Sequence, residues 1–204
     1  MIAILDYGSG NLRSAEKAFA TVSNQVVVSS DPKICASADA LVVPGVGAFK
    51  ACMDQLLAIK GDQIINNHLA SGKKILGICV GMQILFSKGF EKQESNGLSV
   101  LPGDIKPLKA KILPHIGWNS VKAGSGSKLF NGIENESFYF VHSYYVPHDE
   151  ESIERGVTGI AHYGKEVAAV ISRPNLFATQ FHPEKSQEAG LTLLRNFLQW
   201  DGQG

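Results

Sequence analysis

The stretch that decides the fold is Lys73-Lys74-Ile75-Leu76-Gly77-Ile78-Cys79-Val80-Gly81-Met82-Gln83-Ile84-Leu85-Phe86. It begins with a short apolar run, residues 75–78, which is typical of a buried strand, and continues with apolar residues at helical spacing. Cys79 lies at the junction, between Gly77 and Gly81. The pattern therefore predicts a strand, a sharp turn and a helix, as in an α/β sheet.

A cysteine between two such glycines has the form of a nucleophile elbow, in which a strained turn lifts the middle residue out of the sheet. The glycines are needed because the turn brings the start of the helix against neighbouring backbone. A thiol at that position is favoured as the thiolate, the form that attacks carbonyl carbons. The alternative is a buried structural cysteine, which is the more common state of this residue.

Strand-like and helix-like segments alternate before and around this stretch. Strands are predicted at 2–5, 25–29, 40–43 and 75–78, with helices between them. After Gly89, short β-like runs replace the helical pattern, at 98–101, 118–121, 138–141, 157–163, 167–171 and 177–181, and a last helix is predicted at 187–200. We expect a single domain over residues 1–204, of the α/β class, with a mostly parallel central sheet flanked by helices and a β-rich C-terminal half.

Composition excludes several classes of protein. The 19 basic and 19 acidic residues form no basic stripe, so no nucleic-acid partner is expected. No apolar run approaches the ~18 residues of a membrane helix, and the N-terminus lacks the pattern of a signal peptide, so we expect no membrane partner and a cytoplasmic location. Three cysteines without Cys-x-x-Cys spacing argue against a disulfide scaffold and against a structural metal site.

A thiol nucleophile needs a base and a group that orients the base. Among six histidines, His182 follows a predicted strand, at the sheet edge where parallel α/β sheets place their sites. Glu184 lies two residues further on and can accept a hydrogen bond from the imidazole. Pro44-Gly45-Val46-Gly47 follows another strand, and its backbone N–H groups can converge on one point, as an oxyanion hole requires.

Three of these stretches resemble, in order and spacing, the signatures of the triad-type, class I glutamine amidotransferases: Pro44 to Gly47, Gly77 to Gln83, and Phe181 to Glu184. Four stretches are similar to the glutaminase subunits of imidazole glycerol phosphate synthase, in histidine biosynthesis: Asp6 to Leu12, Pro114 to Asn119, Tyr139 to Tyr144, and His182 to Ser186. The resemblance covers essentially the whole chain and implies a flavodoxin-like fold.

The resemblance also implies roles for single residues. Cys79 would attack the side-chain amide carbon of L-glutamine, His182 would relay protons, and Glu184 would orient His182, giving glutamate and ammonia through a thioester. The oxyanion would be held by backbone N–H groups of Val46, Gly47 and Val80. The glutamine site would be lined by Gln83 and by the backbone of Ser143 and Tyr144. We predict no cofactor, since the turn at Gly8-Ser9-Gly10 lacks a full dinucleotide fingerprint, and no metal, since the histidines lack ligand spacing.

A partner is expected because the chain offers no second site for an ammonia acceptor. The resemblance implies a (β/α)₈-barrel cyclase subunit, which uses the ammonia to make imidazole glycerol phosphate and aminoimidazole carboxamide ribotide. Asn11, Trp118, Tyr139 and Lys185 are the candidate contacts with that partner. The isolated chain is expected to be nearly idle, with the N–H groups of the oxyanion loop turned away until the partner docks.

Two alternatives remain open from the sequence. The same triad could serve another acceptor, as in chorismate amination or pyridoxal phosphate synthesis. The chain could also be a non-catalytic α/β module in which Cys79 is a redox sensor; this predicts ready oxidation of Cys79 without dependence on His182 or Glu184.

Overall fold

A computed structural model describes residues 1–124 and 127–203. Its strands are β1 (Ile2–Leu5), β2 (Val26–Ser29), β3 (Ala40–Gly45), β4 (Lys74–Cys79), β5 (Lys88–Gly89), β6 (Ser95–Asn96), β7 (Asp104–Pro107), β8 (His115–Ser120), β9 (Lys122–Ala123), β10 (Ser137–His142), β11 (Tyr144–Tyr145), β12 (Val157–His162), β13 (Glu166–Arg173) and β14 (Leu176–Thr179). Its α-helices are α1 (Leu12–Val22), α2 (Pro32–Ser37), α3 (Phe49–Ala58), α4 (Gly61–Ala70), α5 (Val80–Gln83), α6 (Ser152–Arg155) and α7 (Gln187–Gln199).

Eight strands form the main sheet, in the order β2-β1-β3-β4-β14-β13-β12-β9. The pairs from β2 to β14 are parallel, and those from β14 to β9 are antiparallel. The α/β class, the mostly parallel centre and the β-rich second half predicted from the sequence are therefore confirmed. The first four strands have the 2-1-3-4 order of flavodoxin-like sheets, which opens a crevice at the carboxyl ends of the strands.

The helices cover both faces of this sheet. Right-handed crossovers place α1 on one face and α2, α3 and α4 on the other. Helix α7 packs beside α1, while α2 and α3 contact α4. The strands between these layers are apolar because both faces are covered, and β1, β3 and most of β4 are buried. None of the helices in the described ranges has the length and apolar character needed to span a membrane.

Two smaller sheets complete the second half. Strands β8 and β10 form an antiparallel pair in which Trp118 lies opposite Tyr139 and His115 opposite His142. Strands β11, β7, β5 and β6 form the other sheet. Strand β8 begins three residues before the predicted run at 118–121, because His115 already faces inward and is 2% exposed.

The predictions around residues 84–101 are wrong in two respects. The helix expected to reach Phe86 ends at Gln83, and 98–101 is not a strand. The two errors have one physical cause: the N–H groups of Leu98 and Leu101 donate to the carbonyls of Ile84 and Leu85, at 2.8 and 2.9 Å. The segment satisfies open carbonyls after the short helix, and these N–H groups are therefore not free to pair in a sheet.

Candidate active site

Cys79 ends β4 with a strained backbone, at φ 55° and ψ −112°. A positive φ is uncommon for a residue other than glycine and persists only where the surrounding packing imposes it. The packing here is against β3, since a Cβ at Gly81 would overlap the carbonyl oxygen of Val43. The sharp strand-to-helix turn expected from the two glycines is therefore present, and its cysteine is 3% exposed.

His182 follows β14, which is the neighbour of β4 in the sheet. The backbone of His182 is fixed on both sides: its N–H donates to Tyr139 at 2.9 Å, and its carbonyl accepts from the Ser186 hydroxyl at 2.6 Å. On the side chain, Nδ1 lies 2.7 Å from Oε1 of Glu184. A carboxylate only accepts, so Nδ1 carries the proton and donates it. Both side chains are nearly fully buried.

The other imidazole nitrogen, Nε2, has no aligned hydrogen-bond partner among the described residues. The Cys79 sulfur is nevertheless close enough to change its acid–base behaviour. Burial lowers the pKa of His182, but the charge and hydrogen bonding of Cys79, followed by those of Glu184, outweigh burial and raise the pKa. The imidazole thus favours its charged form, and its Nε2 is only loosely aligned with the Cys79 sulfur, as in many unliganded sites.

The loop after β3 carries the predicted oxyanion donors in a turned-away arrangement. The Val46 N–H donates to the hydroxyl of Ser9 at 3.4 Å, and that hydroxyl donates to the Val46 carbonyl at 2.8 Å. The Cys52 thiol also lies 3.4 Å from the same carbonyl. On the other side of Val46, Gly47 has φ 98° and open space where a Cβ would lie, so the packing leaves room beside the peptide that joins Val46 to Gly47.

These groups line one cavity of about 400 Å³. It is bounded by Val46, Gly47, Cys79, Val80, Gln83, Glu91, Pro114, Val141, His142, Ser143, Tyr144 and His182. All the residues predicted as oxyanion donors or glutamine contacts are in this set. A larger cleft, of about 620 Å³, lies along residues 120–135, but its described lining contains no cysteine or histidine and offers no thiol chemistry.

Glu91 is a lining residue that the sequence reasoning missed. Its Oε2 accepts from the N–H of Phe49, at the start of α3, at 2.9 Å. Glu184, the other acidic group at the site, is engaged by His182. Glu91 is therefore the carboxylate available to a cationic group in the cavity. Nothing in its local sequence marks it, because the loop at 91–94 carries several charged and polar residues of which only this one faces the cavity.

Three of the predicted interface residues lie together. The rings of Trp118 and Tyr139 meet edge to face at 6.2 Å, and the ammonium of Lys185 lies 5.9 Å from the Tyr139 ring centre. Trp118 is half exposed, so it is not a core aromatic. Asn11 lies at the start of α1, where its side chain accepts from the Ser14 N–H.

Around Trp118 the sequence reasoning also missed an exposed apolar face. Its members are Ile112, Leu113, Ile116 and Trp118, all large and exposed. We call these four residues the apolar rim; Pro114, in the same segment, lines the cavity. The signal was present, because apolar residues alternate along β8, but alternation alone does not tell which face is the inner one.

The sequence comparisons with known proteins point to one family. A family model described as "Glutamine amidotransferase class-I" matches residues 3–200. The chain is 48% identical to "Imidazole glycerol phosphate synthase subunit HisH" of Corynebacterium efficiens and 50% identical to the protein of that name in Mycolicibacterium paratuberculosis, covering 97% of both chains in each case.

Solved structures support the fold. A structure titled "Crystal structure of glutamine amidotransferase" superposes with a TM-score of 0.74 at 17% identity, covering 97% of both chains. "Structure of PurLQS from Thermotoga maritima" gives 0.69 at 19% identity, also over 97% of each.

Proposed function

The chain belongs to the class I glutamine amidotransferase family, and from that premise we propose that it is the glutaminase subunit of an imidazole glycerol phosphate synthase in histidine biosynthesis. It hydrolyses L-glutamine and passes the ammonia to a synthase partner. The observation that carries this proposal is the meeting of Cys79, on its strained turn, and His182 at one 400 Å³ cavity, with the buried Glu184 carboxylate bonded to the far side of the imidazole. The near full-length identity to proteins of that name supports the choice of pathway.

The first half of the reaction forms a thioester. The Cys79 thiolate attacks the side-chain amide carbon of glutamine, and the carbonyl oxygen becomes an oxyanion. His182, protonated at both nitrogens, gives the Nε2 proton to the amine that leaves, so ammonia departs neutral. Glu184 keeps the Nδ1 proton in place through its 2.7 Å contact and thereby aims Nε2 at the reacting atoms.

The second half hydrolyses the thioester. Neutral His182 takes a proton from water through Nε2, and the hydroxide adds to the thioester carbon. When this intermediate collapses, the carbon–sulfur bond breaks and glutamate leaves. Cys79 returns as thiolate and His182 as imidazolium, and the raised pKa of His182 favours the imidazolium form.

We assign glutamine recognition to the part of the cavity lined by Gln83, Ser143, Tyr144 and Glu91. Gln83 donates both amide hydrogens to the protein, to the Tyr144 carbonyl and to Gln180, so its own oxygen is the atom left for the substrate. The backbone of Ser143 and Tyr144 lies beside it. Glu91 fits the α-ammonium group of glutamine, because it is a carboxylate that the triad does not occupy.

Replacing Glu91 by glutamine is expected to raise KM for glutamine about tenfold or more, with kcat little changed, because a charged hydrogen bond to the substrate is lost. The amide oxygen of the variant still accepts from Phe49, so the start of α3 keeps its cap. Steady-state glutamate release by the assembled synthase measures the effect. Glu94→Gln, which alters an exposed pair with Lys88, is the matched control; an unchanged KM in Glu91→Gln would contradict the assignment.

We further propose a (β/α)₈-barrel cyclase as the partner, docked on the face that bears the cavity mouth. Support comes from the apolar rim, because its large side chains are exposed in the isolated chain. A partner that covered them would bury apolar surface, and such burial stabilises subunit contacts. Trp118 and Tyr139 lie opposite each other on the paired strands β8 and β10, and Lys185, in the turn after His182, lies over the Tyr139 ring. They add two aromatic rings and a cationic group. Docking there closes the cavity and directs ammonia into the partner.

Trp118→Ala is expected to weaken assembly with the barrel cyclase about thirtyfold, as for a central aromatic of an interface. Titration of one subunit with the other gives the dissociation constant. Ile153→Ala is the control, because Ile153 is the most exposed of the large apolar residues and lies on α6, outside the rim. Equal weakening by both variants would mean that the rim is not the docking face.

The overall test is glutamate release from glutamine by the chain alone and with the cyclase and its nucleotide ligand. Release that depends on the mixture supports the proposal. If glutamate release instead required the synthase subunit of another pathway, the chain would serve a different ammonia acceptor. If no glutamate were released under any condition, the proposal that the chain is a glutaminase would be rejected.

A further inference from the structure

A continuous series of hydrogen bonds leads from β8 to the sulfur of Cys79. Asn119 Nδ2 lies 3.3 Å from His115 Nε2, and His115 Nδ1 lies 2.9 Å from His142 Nε2. His142 Nδ1 lies 2.9 Å from the Tyr144 carbonyl oxygen. On the other side of that oxygen come Gln83 and Gln180, and the last contact, from Gln180 Nε2 to Cys79 Sγ, is 3.6 Å.

The direction of each bond follows from the carbonyl oxygen in the middle, which can only accept. His142 must therefore carry its proton on Nδ1, and its Nε2 accepts from His115. The Nε2 of His115 in turn accepts from the Asn119 amide, whose nitrogen also donates to the His162 carbonyl at 3.0 Å. Two backbone carbonyls thus fix the orientation of every group on this side.

The same carbonyl fixes the other side. Gln83 points its nitrogen at Tyr144, at 3.0 Å, and gives its second hydrogen to Oε1 of Gln180, at 2.9 Å. Turning the Gln180 amide over would bring its nitrogen against the nitrogen of Gln83, two donors face to face. Gln180 is therefore held with its nitrogen toward the sulfur. It is fully buried, and its own N–H is anchored on Ala169 at 2.9 Å.

The two histidines suit this arrangement because they stay neutral. Burial lowers the pKa of His115 to about 4. Burial also lowers the pKa of His142 to about 4, an effect that the bond to Tyr144 opposes and the neighbouring His115 and His182 increase. His115 is further held between the rings of Phe140 and Tyr163, stacked at 4.8 and 3.9 Å.

We propose that Gln180 is a further catalytic residue, whose side-chain amide donates a hydrogen bond to the Cys79 thiolate. His142 is a positioning residue: it helps to hold the Tyr144 carbonyl, which orients Gln83 and through it Gln180. The assignment rests on the proposed role of Cys79 as nucleophile. As a thiol, Cys79 can point its hydrogen at the Val141 carbonyl, 3.9 Å away, whereas the thiolate needs a donor, and Gln180 supplies one.

The test is the rate at which iodoacetamide alkylates Cys79 near pH 7, followed on the Cys79 peptide by mass spectrometry. This reaction reports the thiolate and requires neither glutamine nor the partner. Gln180→Met keeps the volume but removes the donor, and is expected to slow alkylation about tenfold. Gln180→Glu places a carboxylate beside the sulfur and is expected to slow it further.

Two controls separate this effect from damage to the fold. Gln63→Met, on the exposed side of α4, is expected to leave the rate unchanged. The buried Cys35 thiol in the same samples is an internal control, since a loosened fold would increase its labelling. His142→Phe is expected to slow alkylation about threefold in the parent, and not at all in the Gln180→Met background, because its effect passes through Gln180.

Alkylation at the parent rate in both Gln180 variants would overturn the proposal, even if both had lost glutaminase activity. A slower reaction of Cys79, with Cys35 still protected, supports it. An additive effect of His142→Phe in the Gln180→Met background would overturn the positioning role. If the parent hydrolyses no glutamine while the variants alkylate slowly, the glutaminase proposal fails and the thiolate contact stands.

Discussion

Replacing Cys79 by alanine is expected to reduce glutamine hydrolysis by the assembled synthase by at least about 10⁴-fold. The remaining groups can bind glutamine and polarise its amide, but no thioester forms without the sulfur. Water would have to attack the amide carbon directly, and it is a much weaker nucleophile than the sulfur of Cys79. The effect is measured as glutamate release under saturating glutamine with the cyclase and its nucleotide ligand present.

The same variant should still support synthesis when ammonium salts replace glutamine, because the cyclase uses ammonia whatever its source. This contrast separates lost chemistry from lost assembly. Cys35→Ala is the matched control: Cys35 is a buried thiol on α2, with a weak contact to the Ser29 carbonyl, and its removal should leave hydrolysis intact. Hydrolysis that survives in Cys79→Ala would remove the triad from the mechanism.

Docking of the partner is expected to raise the rate of glutamine hydrolysis about 10²–10³-fold, because the loss of one oxyanion donor typically lowers kcat by that factor. In the isolated chain the Val46 N–H is bound to the Ser9 hydroxyl and cannot reach an oxyanion in the cavity. Val46 is exposed at the cavity mouth, and the peptide that carries its N–H begins at Gly45, where the backbone can rotate without a side chain. The measurement compares glutamate release by the chain alone and in the loaded complex.

Ser9→Ala gives a direct test of this restraint. Without the hydroxyl, both hydrogen bonds that hold the Val46 peptide to Ser9 are lost, and glutamate release by the isolated chain should rise several-fold. Ser37→Ala, which removes an exposed hydroxyl at the end of α2, should change nothing. If the unmodified chain alone already works at the rate of the complex, the turned-away arrangement has no regulatory role.

Much of the fold and the outline of the site could be predicted because they depend on local patterns. Gly77 and Gly81 mark the elbow, and strand ends at Gly45, Cys79 and Thr179 meet at one edge because parallel strands point the same way. What the sequence hides depends on long-range hydrogen bonds: Leu98 and Leu101 bond to carbonyls of another segment, and Glu91 faces the cavity only because the loop folds back.

The place of β14 has a consequence for the way the protein is made. This strand pairs with β4 in the middle of the sheet, yet 101 residues separate Cys79 from Gln180 just beyond β14. At about 5–20 residues per second, a ribosome needs roughly 5–20 s to bridge that interval. Throughout it, the nascent half-sheet exposes the unpaired backbone of β4, which invites pairing with other chains. By the proposed mechanism, Cys79 also lacks its base, His182, during this interval, so an unfinished chain cannot hydrolyse glutamine.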